Sequence, residues 1–236
     1  MSGIIDELVE QLDSFRNSDK ALLDKKICGK DVDGVICKQK FLGIYAKDLR
    51  IIINKYKKMG DHVIMEIYNN LNDNIFEYFN LKGILINYLS YSFEEKMNLI
   101  EEHLKKAQSW ANVDCLEFKE FSMGTKTSLD YIIRTVNHND IFVARHAIVQ
   151  MLKIDKQYPN EVIKIYGTIV PGHYYKNMAV AWAISHTILY NEKGVLGLLE
   201  TQTLDKFIQN KSISKIRESF RVSDEVKDKV KQYKIG

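Results

Sequence analysis

Proline and cysteine are scarce in this chain, and each scarcity removes a class of structure. Only Pro159 and Pro171 occur in 236 residues, and no Gly/Ser-rich or low-complexity stretch is present, so nothing reads as an interdomain linker. A single repeat domain over residues 1–236 is expected. The three cysteines, Cys28, Cys37 and Cys115, are odd in number and match no zinc spacing, and the six histidines form no His-x-x-x-His pair. Neither a disulfide nor a bound metal is expected. Alternation of apolar and polar residues at period two is rare, which argues against a sheet. Long apolar runs are missing too. The segment from Met1 to Phe15 is amphipathic and acidic without a basic n-region, so it reads as neither a signal peptide nor a membrane span, and a cytoplasmic location is expected.

What the chain does have is a hydrophobic content of 45%, sufficient for a sizeable core, and an uneven charge. Its net charge is only +3, but residues 24 to 60 hold ten Lys/Arg against four Asp, and residues 211 to 236 hold eight against four acids. The rest is net acidic by seven charges. Two basic ends around an acidic middle suit a protein that grips a polyanion, although lysines also solvate ordinary helix faces.

Helical periodicity dominates. It predicts helices over 3–16, 46–58, 73–90, 94–107, 109–120, 126–137, 140–154, 160–169, 173–190 and 204–213. Start signals include Asn72 and Asp73, Ser92 followed by Glu94 and Glu95, Ser109, Asn139 and Asp140, and Pro159. The stretch from Cys28 to Gly43 reads as a longer loop, and its Asp31-Val-Asp33-Gly34 reads as a turn, because the later ligands of a calcium loop are lacking.

An aromatic recurs every 32 residues, at Tyr78, Trp110, Phe142 and Tyr174. Five positions after each stands a small residue, Gly83, Cys115, Ala147 and Ala179, and six after each an aliphatic one, Ile84, Leu116, Ile148 and Val180. A period of this length implies an all-α superhelical stack of antiparallel helix pairs. At about 100° of rotation per residue, the small and aliphatic columns face neighbouring helices, whereas Trp110, Asp114, Arg145 and Trp182 share one arc. That arc is the candidate site. Aromatics at a repeat position are also ordinary core residues, and Asp114 alone would read as a solvated carboxylate.

The segments Phe41-Leu-Gly-Ile-Tyr-Ala-Lys-Asp-Leu-Arg50, Trp110-Ala-Asn-Val-Asp114, Phe142-Val-Ala-Arg145-His-Ala-Ile-Val149, Tyr174-Tyr-Lys-Asn-Met-Ala-Val-Ala-Trp182 and Lys215-Ile-Arg-Glu-Ser-Phe-Arg-Val222 together resemble the DNA alkylation repair family of HEAT-repeat DNA glycosylases. The resemblance covers nearly the whole chain. It implies a stack of HEAT-like repeats that holds duplex DNA on a concave face and excises N3- or N7-alkylated purines without a cofactor. By this resemblance Asp114 is the catalytic carboxylate, Trp110 and Trp182 are the aromatic pair around the lesion, and Arg145 contacts DNA. Lys47, Arg50, Lys176, Lys215, Arg217 and Arg221, the cations of the matching segments, are further candidates for DNA contact. Met178 and Ser185 stand where relatives carry basic residues.

The residue types fit that chemistry. A cationic alkylpurine is a good leaving group, its departure develops an oxocarbenium ion, and a carboxylate about 4 Å away contributes on the order of 4 kcal/mol at an effective dielectric of about 20. Indoles are the best aromatic partners for a cation. No lysine is required as an imine-forming nucleophile, so a monofunctional enzyme is expected. A non-catalytic protein that binds damaged or branched DNA and a protein-interaction scaffold remain open at this point.

Overall fold

The computed structural model describes residues 3–236, and among them no strand occurs beyond the isolated bridges Val32–Val35 and Lys40–Ile75. The chain forms two compact units, Met1–Phe118 and Lys119–Gly236. The first contains α1 (Gly3–Ser14), α2 (Ser18–Cys28), α3 (Ala46–Tyr56), α4 (Asp61–Asn70), α5 (Phe76–Ile86), α6 (Phe93–Leu104) and α7 (Trp110–Asp114). The second contains α8 (Lys119–Ser122), α9 (Lys126–Thr135), α10 (Ile141–Ile154), α11 (Pro159–Tyr166), α12 (Tyr174–Thr187), α13 (Glu192–Glu200), α14 (Lys206–Glu218) and α15 (Asp224–Lys231).

The starts of these helices give the repeat its physical form. Helices α4, α6, α9, α11, α13 and α15 begin 32 or 33 residues apart, and their partners α5, α7, α10, α12 and α14 begin 31 to 34 apart. Within the first unit α5 packs on α3, α4, α6 and α7, and α1 packs on α3 and α4. Within the second, α10, α12 and α14 are successive neighbours in one layer, backed by α9, α11, α13 and α15. The fold is an all-α stack of helix pairs, as the period implied.

Local signals set many helix starts. Ser92 and Glu95 form a capping box at α6, Ser109 and Asn112 one at α7, and Asp140 accepts the amides of Phe142 and Val143 at α10. The small column lies inside: Ala147 and Ala179 are fully buried, and a Cβ at Gly83 would come within 2.8 Å of His103 and Leu116. The turn at Asp33-Gly34 also forms, with Val32 and Val35 exchanging amide bonds across two positive-φ residues.

The structure departs from the sequence reading at five places. The helix expected over 109–120 is broken: α7 ends at Asp114, and Leu116 and Phe118 are buried on either side of exposed Glu117, the alternation of extended chain. Helices α2, α4, α13 and α15 were not expected. The apolar residues of α2, Leu22, Leu23 and Ile27, are exposed and show no inward stripe, while α13 carries Gly194 and Gly197 and α15 is short and highly charged. Helix α4 buries only Val63, Ile64 and Ile67 in ten residues. Among the described residues no helix is long and apolar enough to cross a membrane.

Candidate functional site

Helix α7 is one turn long, too short to hold itself, and side chains fix it instead. Asn112 Oδ1 accepts the amides of Gln108 at 3.1 Å and Ser109 at 3.0 Å, and its Nδ2 donates to Asn80 Oδ1 on α5 at 2.8 Å. Asn112 and Ser109 are fully buried, so the turn bearing Trp110 and Asp114 is bound to the repeat before it. Trp110 and Asp114 are both half-buried and lie one turn apart. The indole packs against the cluster of Cys28, Cys37, Phe41 and Phe76, in which the Phe41 and Phe76 rings are 4.7 Å apart. Beside them Cys115 is a poor nucleophile: burial, then the Asp114 charge, pushes its thiol up to about 12.

Lys47 and Arg50 are exposed on the first turns of α3. The Lys47 ammonium lies 5.8 Å from the ring of exposed Tyr45, and Lys20 lies 5.5 Å from the same ring. Lys20 is also paired with Asp24 at 2.5 Å.

In the second unit the predicted cations differ in placement. Arg145 is 6% exposed, and its Nη1 donates to the Tyr175 carbonyl at 2.6 Å. Lys176 is buried as well, with Nζ donating to Asn137 Oδ1 at 3.2 Å, and burial holds its ammonium below the usual lysine range. Both side chains therefore bind to protein groups from other helices or loops, a placement that the shared arc of Arg145 on the helix wheel and the segment match of Lys176 did not anticipate. Lys215 is half-buried and is also held below the lysine range, first by burial and then by the neighbouring charge of Lys211. Arg217 and Arg221 are exposed. Trp182 is 37% exposed on α12, so this indole is offered to solvent while Arg145 is not.

Two arrangements were not legible in advance. His186 Nδ1 lies 2.7 Å from Asp155 Oδ2, which also accepts the Thr187 hydroxyl at 3.1 Å, and Tyr166 donates in turn to Thr187 at 2.7 Å. Tyr174 and Phe207, both exposed, bring their ring centroids to 5.6 Å. Phe207 falls 33 residues after Tyr174, so a repeat search that tolerates a one-residue slip would have found it. Among the described residues no group of three or more His, Cys, Asp or Glu gathers as a metal would require. All three cysteines are free.

None of the curated proteins compared with the chain matches it. The family model described as DNA alkylation repair enzyme matches residues 11–215, a span that takes in Trp110, Asp114, Arg145, Trp182 and Lys215. With helix pairs repeating along the whole of that span, the chain belongs to the DNA alkylation repair enzyme family, and its role lies in alkylation repair with DNA as its partner.

Proposed function

We propose that the protein is a monofunctional DNA glycosylase that releases cationic N3- and N7-alkylated purines from duplex DNA. The observation that carries this reading is the half-exposed turn of α7, where an indole and a carboxylate share one face and are held there by the buried Asn112–Asn80 bond. In the reaction the bond between C1′ and the purine nitrogen breaks, its electron pair neutralises the charge on the base, and water adds to C1′ of the resulting oxocarbenium ion. Asp114 stabilises that ion and orients the water, which passes its proton to the solvent as the new bond forms. Trp110 and Trp182 are the indoles assigned to the cationic base and sugar. Lys47, Arg50, Arg217 and Arg221 are assigned to phosphates, as is half-buried Lys215. Arg145 and Lys176, bound to protein groups, are assigned to shaping the helix layer that DNA meets.

The chemistry depends on lesion charge, so 3-methyladenine and 7-methylguanine are the expected products, with little action on neutral lesions such as hypoxanthine or uracil. Duplexes that each carry one defined lesion, incubated with the full chain and assayed for free base, test this. Release of a neutral base as efficiently as 7-methylguanine would overturn the mechanism, and duplex binding without any base release would leave a non-catalytic DNA-binding protein.

A further inference from the structure

The second unit carries an exposed aromatic pair that glycosidic chemistry does not use. Tyr174 opens α12 and Phe207 lies in the first turn of α14, and the two are 38% and 39% exposed. Their ring centroids are 5.6 Å apart with planes at 57°. Aromatic rings of this size bury large area when folding alone governs them, and here two such rings touch each other while leaving more than a third of each to solvent. Beside Phe207 lies a shallow, open groove lined by Asp205, Lys206, Phe207, Asn210, Lys211 and Ser214.

Charge defines the ligand. Lys206 and Lys211 line the groove, and Lys215 follows Lys211 by one turn of α14. Arg145 lies close enough to Lys215 for its charge to act there. Two acids face this group and offset it only in part: Asp205, which caps α14 by accepting the amides of Phe207 and Ile208, lines the groove, and Glu218 acts on Lys215, so three lysines stand against two carboxylates. Aromatic faces next to surplus cations match an anionic chain that bears planar rings. A base inside a duplex offers a protein only its edges, whereas an unpaired base offers the ring face that Tyr174 and Phe207 present.

From this geometry we infer that Tyr174 and Phe207 form a stacking platform for an unpaired nucleotide of a DNA strand, with a flanking phosphate held by Lys206 and Lys211. The inference rests on DNA as the partner and gives the second unit a place for a base that has left its pair. Asn210 and Ser214 also line the groove, but the Asn210 amide exchanges two bonds with the Ile235 backbone and the Ser214 hydroxyl donates to the Asn210 carbonyl, so they form no set of groups that would read one base over another. The platform therefore accepts any base.

The test is the affinity of the full chain for three unmodified, labelled probes: a short oligothymidylate, a strand of equal length and charge with abasic sites, and a blunt duplex. Phe207→Leu and Tyr174→Leu are each expected to weaken oligothymidylate binding by about tenfold while changing the abasic strand and the duplex by less than about twofold, and Phe207→Trp, which keeps an aromatic face, is expected to retain the parent's affinity. Lys211→Gln is expected to weaken both single strands and to lower the slope of log affinity against log salt by about 0.7. Equal losses on all three probes, or unchanged oligothymidylate binding by well-folded Phe207→Leu, would overturn the platform, and an unchanged salt slope would overturn the phosphate contact. Thermal melting of each variant establishes folding. None of the probes contains an alkylated purine, so failure here leaves the glycosylase reading intact, and failure to release bases leaves the platform intact.

Discussion

Glu77 holds Gly43 through one carboxylate oxygen: Oε1 accepts the Gly43 amide at 2.7 Å and those of Leu42 and Ile44 at 3.2 Å, while Oε2 takes Leu42 again at 3.0 Å. The carboxylate is 3% exposed, and three consecutive amides satisfy it. Gly43 has φ +76, and a Cβ there would come within 2.1 Å of the Asn17 carbonyl. This clasp seats the long loop against α5, bringing Phe41 beneath Trp110 and leading the chain into α3 with Lys47 and Arg50.

Breaking the clasp is expected to cost stability. Glu77→Gln replaces one acceptor oxygen by a donor that faces buried amides, and a loss of about 2–4 kcal/mol is expected in urea unfolding. Gly43→Ala, which strains both the backbone and the Asn17 contact, should fall in the same range. A Glu77→Gln protein as stable as the parent would show that the loop is held by apolar contacts alone.

Asp114→Asn is expected to fold normally, bind duplex DNA and lose roughly a thousandfold in single-turnover release of 7-methylguanine, the rate equivalent of about 4 kcal/mol. The two tryptophans separate by burial. Trp182→Ala should slow release with less than about 1 kcal/mol of destabilisation, whereas Trp110→Ala should slow release and also destabilise by about 2 kcal/mol, because its indole packs on the Cys28–Phe41 cluster. An undiminished rate in Asp114→Asn removes it from the mechanism.

The cations are expected to divide in the same way. Arg145→Ala removes the charge-assisted bond that its guanidinium donates to the Tyr175 carbonyl, together with the packing of a buried side chain, and should lose about 1–3 kcal/mol of stability. Arg50→Gln, at an exposed site, should leave stability unchanged and shallow the salt dependence of duplex affinity by about 0.9. Urea curves together with affinity across a salt series check both, and a stable Arg145→Ala protein with a shallower slope would make that residue a phosphate ligand.

Stability should fall in mild acid. Burial holds His103 and His146 down to about 3, whereas an unfolded imidazole takes up its proton near about 6.5. Between these values the unfolded chain binds more protons, so stability rises with pH across the window and is lost as pH falls from about 6.5 toward 3, by up to roughly 5 kcal/mol for each group. Urea unfolding near neutral pH and again near pH 5 measures the slope, which His103→Asn should flatten. An identical slope in that variant would assign the pH dependence to other groups.

The regular 32-residue spacing made the helix pairs legible, because a repeated unit must bury the same columns in every copy. The positions of Gly83, Ala147 and Ala179 in tight contacts, and of Trp110 and Asp114 on one short turn, follow from that local register. The break at Leu116–Phe118 was less visible, since both a helix and an extended segment can bury two apolar residues and only the neighbours decide between them. Helix α2 was hidden for the opposite reason, having too little inward-facing apolar surface to show a period.

The sequence by itself determined that this is a helical repeat protein of the DNA alkylation repair family, with an indole and a carboxylate one turn apart, because those facts depend on spacing along the chain. The tertiary structure decided which side chains are available. Arg145 and Lys176 are satisfied by Tyr175 and Asn137, 30 and 39 residues away, and Phe207 meets Tyr174 only through the packing of α12 on α14. A helix wheel gives the direction of a side chain, but burial and partnership depend on what other parts of the chain bring to meet it.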